Sequence, residues 1–189
     1  MFSSDSAKFR FSVNLSTLAF ENEWFASSVR CLLKEYGVSG EQICFEITEQ
    51  MAVRIAAKTD RQITMLRDLG CRIAVDDFGT GYSSFSYLKR LPVDYLKIDG
   101  SFIKGLTRSR VDQSMVRMIG EVAKAAGLET VAEYVETAAV LKLLAKYGID
   151  YAQGFYVGRA VPQPTMTILE VPPYHPVKAR PVSGGRPAK

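Results

Sequence analysis

The chain has 189 residues, 47% of them hydrophobic, and it is rich in phenylalanine and tyrosine, which suits one packed domain and excludes a disordered polymer. The formal net charge is +4, but beyond Ala160 four basic residues (Lys178, Arg180, Arg186, Lys189) face one acid (Glu170), so residues 1–159 are close to neutral and offer no nucleic-acid face. Met1 to Arg10 is polar, and no stretch approaches the ~18 apolar residues that cross a bilayer, so a soluble cytoplasmic protein is expected, without membrane contact.

In chain order, six short apolar strands alternate with helical patterns. The first strand, Phe11–Leu15, contains Asn14, and a helix follows from Glu21 to Tyr36. There Phe25, Val29, Leu32, Leu33 and Tyr36 share one face, with Gly37 as the stop. Strand Ile43–Thr48 carries Glu46 and precedes a helical pattern over Met51–Leu69. Strand Arg72–Asp76 ends on Asp76 and Asp77, followed by a glycine-containing loop and a short helix at Ser84–Leu91. Strand Tyr95–Ile98 brings Lys97 and then Asp99; its helix spans Gln113–Ala126 and ends at Gly127. Strand Thr130–Val135 holds Glu133, with a helix from the N-cap Thr137 to Gly148. The last strand, Tyr151–Tyr156, carries Gln153. Seven of the eight prolines then fall between Pro162 and Pro187. The predicted organisation is a domain at 1–160 and a flexible, basic, proline-rich tail at 161–189.

Strands alternating with helices imply a parallel sheet built by right-handed crossovers. Polar residues sit at the C-terminal ends of nearly all the strands, which favours a TIM-type (β/α) barrel over an open doubly wound sheet with one switch point. Six of the usual eight strands are recognisable, so the predicted fold class is α/β, an incomplete barrel. Cys31, Cys44 and Cys71 lack metal-ligand spacing and read as reduced core thiols. The lone histidine, His175, lies in the tail, which argues against a histidine triad or a histidine-ligated zinc.

Each polar strand-end residue has an ordinary structural explanation. Asn14 could satisfy a turn, Glu46 and Glu49 could cap a helix, Lys97 and Asp99 could be a plain ion pair, and Gln153 could bind loop backbone. Together they point elsewhere. Carboxylates at the tops of successive barrel strands converge on one mouth. Glu46, Asp76, Asp77 and Glu133 held close together need compensation, because like charges disfavour one another's ionised forms. A divalent cation supplies it, and an all-oxygen donor set selects Mg²⁺ or Mn²⁺ over zinc or copper. Adjacent aspartates can bridge two metals, an arrangement suited to attack on phosphate esters.

Six runs carry a family resemblance: Val-Asn-Leu-Ser, Phe-Glu-Ile-Thr-Glu, Asp-Asp-Phe-Gly-Thr-Gly-Tyr-Ser-Ser, Leu-Pro-Val-Asp-Tyr-Leu-Lys-Ile-Asp-Gly, Val-Ala-Glu-Tyr-Val-Glu-Thr and Gln-Gly-Phe-Tyr-Val-Gly-Arg. In this order, over about residues 11–159, they resemble the EAL family of bacterial cyclic di-GMP phosphodiesterases. The resemblance implies hydrolysis of cyclic di-GMP to linear pGpG by a metal-activated water. Asn14, Glu46 and Asp76 would hold one Mg²⁺ or Mn²⁺, and Asp76, Asp77 and Glu133 the second. Lys97 would orient water or offset phosphate charge, and Glu133 would also take part in proton transfer. Asp99 and Gln153 would complete the substrate pocket, while Glu49 would anchor the Asp77–Ser84 loop.

Two departures bear on activity. The Glu-Ala-Leu signature, with its metal-ligand glutamate and the first two barrel strands, is absent, and Tyr134 stands where the family has glycine. Weak or absent hydrolysis by the isolated chain is therefore expected, with a homodimer or a partner chain covering the open edges. The alternative is a noncatalytic module that binds cyclic di-GMP or docks on a protein. Nucleic-acid binding through the tail is the weakest reading, since its four positive charges are scattered.

Overall fold

The computed structural model of this chain describes residues 10–56, 61–81, 88–89 and 92–161. The helix expected at Ser84–Leu91 lies mostly outside them, as does the tail beyond 161. Six parallel strands form one sheet in sequence order. They are β1 (Phe11–Asn14), β2 (Ile43–Thr48), β3 (Arg72–Phe78), β4 (Tyr95–Ile98), β5 (Glu129–Ala132) and β6 (Tyr151–Ala152). Every neighbouring pair is parallel and consecutive, and the sheet curls into an incomplete TIM-type barrel.

Period-two alternation divides the sheet into two faces. Phe45 and Ile47 of β2, Ile73 and Val75 of β3, Leu96 and Ile98 of β4, and Ala132 of β5 belong to the main core beneath the helices. Residues of the opposite parity, Cys44, Ala74 and Tyr95, form a separate small cluster with Val131 on the concave face. Each fully buried aliphatic side chain in the main core contributes about 1.5–3 kcal/mol. The concave face is short of such residues toward its C-terminal rim, and there the polar side chains gather.

The helices are α1 (Thr17–Phe20), α2 (Phe25–Tyr36), α3 (Glu49–Ala56), α4 (Arg61–Asp68), α5 (Gly100–Lys104), α6 (Arg110–Ala126) and α7 (Ala138–Tyr147). The helix expected from Glu21 begins only at Phe25, because the Asn22 side chain accepts from the Trp24 amide and turns the chain there, and the short α1 precedes it as an element the sequence pattern does not mark. α6 starts earlier than Gln113, since Ser109 caps it by accepting from the Asp112 amide. Thr137 caps α7 as expected, and Gly37, Gly127 and Gly148 end their helices in the left-handed conformation. α5 has no counterpart among the expected elements: five residues show too little periodicity to register. Cys44 and Cys71 are buried, but Cys31 is exposed on α2 rather than a core thiol.

Two strands end sooner than their apolar runs suggest. β5 stops at Ala132 because Tyr134 adopts φ +53°. β6 stops at Ala152, where Gly154 turns the chain and its carbonyl accepts from the amides of Val157 and Gly158. At the opposite rim, two loops repeat one device. The Asp94 carboxylate accepts from the Ile73 amide, and the Asp150 carboxylate accepts from the Thr130 amide and hydroxyl. Val93-Asp94-Tyr95 and Ile149-Asp150-Tyr151 thus staple consecutive strand pairs in the same way. No helix among the described residues is long and apolar enough to cross a membrane.

Candidate functional site

Lys97 is the centre of the site. Its ammonium donates to Glu46 Oε2 at 2.7 Å and Asp76 Oδ1 at 2.8 Å, and lies 2.9 Å from Glu133 Oε1. The Lys97 side chain is only 6% exposed, and the carboxylates beside it are 8–19% exposed. Four strands supply these groups through one shared parity: Glu46 from β2, Asp76 from β3, Lys97 from β4, and Glu133 just past β5. The Glu133 amide donates to the Ile98 carbonyl at 3.2 Å, which fixes the residue against β4 although the regular β5 strand ends one residue earlier. Burial alone would push the Lys97 ammonium down. Hydrogen bonds to Asp76, Glu46 and Glu133 outweigh it and hold the group above its ordinary value, charged throughout the neutral range.

Consecutive residues on a regular strand point to opposite faces, so Asp76 and Asp77 should not both reach one site. They do because β3 is irregular here: its register with β4 shifts between Val75 and Phe78, and Asp77 takes φ +54°. Bulges of this kind re-aim side chains. As a result Asp76, Asp77 and Glu133 each bring a carboxylate oxygen within 4.8 Å of the others. Burial and the neighbouring charges of Asp76 and Asp99 raise the Asp77 carboxyl above its ordinary value, with Lys97 opposing. Burial likewise raises Glu133, helped by repulsion from Asp76 and Glu46 and opposed by Lys97. One ammonium therefore does not satisfy the cluster. Three hard oxygen donors with residual negative charge fit a divalent cation, and Asp76, Asp77 and Glu133 are the residues that would hold it.

The other predicted residues fall around this centre. Asn14 closes β1 opposite Glu46 in the ladder and is exposed. Asp99 makes no ion pair with Lys97. It caps α5 instead, accepting from the Ser101 amide at 2.9 Å. Burial would raise its carboxyl, but the amides of Ser101 and Gly100 and the charge of Lys104 hold it low. Gln153 follows β6, with its backbone bonded to Ala132 and Val135, and lines a cavity of about 140 Å³ together with Glu46 and Lys97. Glu49 opens α3, and its Oε2 accepts from the Gly79 and Gly81 amides, both at 3.3 Å. Its carboxylate is thus tied to the loop that leaves β3.

Sequence reasoning passed over the floor beneath this centre. Tyr95 and Tyr151 precede Lys97 and Gln153 by two residues, so strand parity puts them on the same concave face. Their rings meet edge to face at 6.0 Å, and Arg10 donates to the Tyr95 hydroxyl. Cys44 lies in the same floor, where burial pushes its thiol up to about 12, leaving it unreactive.

Residues 2–160 match the family model described as the EAL domain. The chain is 44% identical over 155 residues to the probable cyclic di-GMP phosphodiesterase PdeA of Escherichia coli, covering 82% of this chain and 21% of that protein. It is 39% identical to the cyclic di-GMP phosphodiesterase PdeB of Shewanella oneidensis, covering 84% and 18%. It thus spans about a fifth of the length of these relatives. Among solved structures, the PaMucR phosphodiesterase in complex with c-di-GMP aligns with a TM-score of 0.75 at 39% identity, covering 81% of this chain and 62% of that one. The EAL domain of Mycobacterium smegmatis DcpA aligns with a TM-score of 0.73 at 40% identity, covering 79% and 67%. The chain belongs to the EAL domain family.

Proposed function

We propose that this chain binds cyclic di-GMP at the Lys97 centre with Mg²⁺ or Mn²⁺ and is built for its hydrolysis to linear pGpG. The observation that carries this reading is the gathering of Glu46, Asp76 and Glu133 around the Lys97 ammonium, with Asp77 turned in beside them. Phosphodiesterase relatives and a c-di-GMP-bound neighbour of the same fold support the choice of ligand.

Asp76, Asp77 and Glu133 would hold the divalent cation, with Glu46 and Asn14 beside them. When bound, the cation supplies charge neutralisation at the phosphate and a more acidic water. Lys97, charged through the neutral range, acts as a cation that offsets phosphoryl charge rather than as a base. Glu133, within 4.8 Å of Asp76 and Asp77 at the centre, is the group proposed to take part in transfer of the attacking water's proton. The water oxygen joins phosphorus, the ester P–O bond breaks, and the leaving oxygen takes up a proton equivalent to the one the attacking water gives up, from solvent or by way of Glu133. Gln153 and Asp99 border the bound dinucleotide, and Glu49 steadies the loop after Asp77.

No Glu-Ala-Leu occurs in the 189 residues. These residues alone supply one carboxylate fewer than the ligand set that the resemblance implies, and slow turnover is proposed for them by themselves. Calorimetry with cyclic di-GMP, with and without Mn²⁺, tests the reading alongside chromatographic detection of pGpG. The expected result is Mn²⁺-dependent binding with slow formation of pGpG. Absence of cyclic di-GMP binding in either condition would refute it.

A further inference from the structure

Tyr134 directly follows Glu133 and holds a backbone conformation that bulky residues rarely adopt, φ +53°. The residue is 51% exposed, so core packing does not hold it there. Two contacts do. The Lys104 ammonium lies 4.0 Å from the ring centroid, a cation–π contact. The ring also rests on Gly100, the buried first residue of α5, where an added Cβ would come within 2.2 Å of Tyr134 Cδ2. The niche exists because residue 100 has no side chain. Gly100 and Tyr134 thus form an interdependent pair.

The placement has a consequence for Glu133. Its amide is fixed to the Ile98 carbonyl at the end of β4, and the ring of the next residue is fixed to α5, which begins two residues after Ile98. Glu133 and Tyr134 are therefore both anchored to one segment of chain, while Val135 is bonded to Gln153 beyond β6. The Glu133 carboxylate is aimed at Lys97 Nζ. A glycine at 134 would accept the same φ without strain; the Val135 amide would still donate to the Gln153 carbonyl at 3.0 Å, but the turn would lose its tie to α5.

We propose that Tyr134 is a positioning residue for Glu133: its ring, seated on Gly100 and held by Lys104, locks the turn that points the Glu133 carboxylate into the divalent-cation centre. This rests on reading that centre as a cation site.

The test is Mn²⁺ binding by calorimetry, in the full chain, for the wild type and for Tyr134→Gly, Tyr134→Phe, Gly100→Ala and the Tyr134→Gly/Gly100→Ala double variant. Tyr134→Gly removes the ring, and Gly100→Ala evicts it. Each is expected to weaken Mn²⁺ binding about 10-fold, the lower end of what residues supporting metal ligands contribute. Tyr134→Phe keeps the ring and should bind like the wild type. The double variant should bind no worse than either single one, because the same contact is lost. Melting temperature separates positioning from mere support. Tyr134→Gly relieves left-handed strain, so its midpoint should hold or rise while its affinity falls. The inference is overturned by wild-type affinity in Tyr134→Gly, by a Tyr134→Phe variant as weak as Tyr134→Gly, by effects that multiply in the double variant, by a melting point that falls with affinity, or by a wild type that binds no Mn²⁺. A wild type that binds Mn²⁺ but not cyclic di-GMP would sink the proposed substrate and leave this inference to the variants.

Discussion

Lys97→Met is expected to destabilise the metal-free domain by about 3–5 kcal/mol, the cost of leaving buried charges without their partner. Lys97 is the only cation within ion-pair distance of Glu46, Asp76 and Glu133 among the described residues, so its loss exposes three carboxylates to one another. Two further signatures distinguish this from an ordinary core defect. Burial and like charge already raise the Asp77 and Glu133 carboxyls in the folded state. At these two groups the folded state therefore binds protons more readily than the unfolded chain, and the cost of ionising them is relieved as pH falls toward their folded-state values. The variant should consequently gain stability, relative to the wild type, on acidification from pH 7 toward 5. Mn²⁺ should restore much of the loss at neutral pH, because binding to the native state alone adds stability by mass action. Urea unfolding of both proteins at two pH values, with and without Mn²⁺, checks all three expectations. Equal stability of variant and wild type at neutral pH without metal would contradict them.

Asp76→Ala is expected to abolish measurable Mn²⁺ binding and, with it, metal-dependent formation of pGpG. Loss of a residue that only supports a metal ligand already weakens binding roughly 10–100-fold, and Asp76 is itself a proposed ligand, so the effect should exceed that range. The fold should survive the change. Asp76 is one of three acceptors on Lys97, and Glu46 and Glu133 remain to neutralise the ammonium. Calorimetric titration with Mn²⁺, alongside circular dichroism to confirm the fold, separates lost ligation from lost structure. Unchanged Mn²⁺ affinity in a folded Asp76→Ala protein would remove this residue from the site.

Much of this site is legible in the sequence because the strands that build it are short and strictly alternating. Parity alone sends Glu46, Lys97 and Glu133 to the same side as Cys44, Tyr95 and Val131, and the parallel ladder puts their C-terminal ends at one rim. What alternation cannot convey is where it breaks. Asp76 and Asp77 share the site only through the irregularity of β3 and the left-handed backbone at Asp77, and nothing in Val-Asp-Asp-Phe marks that turn. Lys97 and Asp99 invite an ion pair by parity, yet the chain leaves the strand at Ile98 and Asp99 is spent on capping α5. Four clustered acids demand positive charge, and composition alone suggests a metal for it. The first compensation comes from Lys97 itself, and the cation answers what Lys97 leaves unbalanced. Tyr134 shows the same limit. A residue that breaks the family's pattern is noticeable in the sequence, but only its contact with Gly100 and Lys104 reveals that it faces α5 and not the pocket mouth.

The most direct test is the anomalous scattering of Mn²⁺ in crystals of this protein. A peak is expected between the carboxylates of Asp76, Asp77 and Glu133, at coordination distance from their oxygens, with Lys97 still beside Glu46. A map with no peak at this position in saturating Mn²⁺, and with those three side chains turned away from one another, would contradict it.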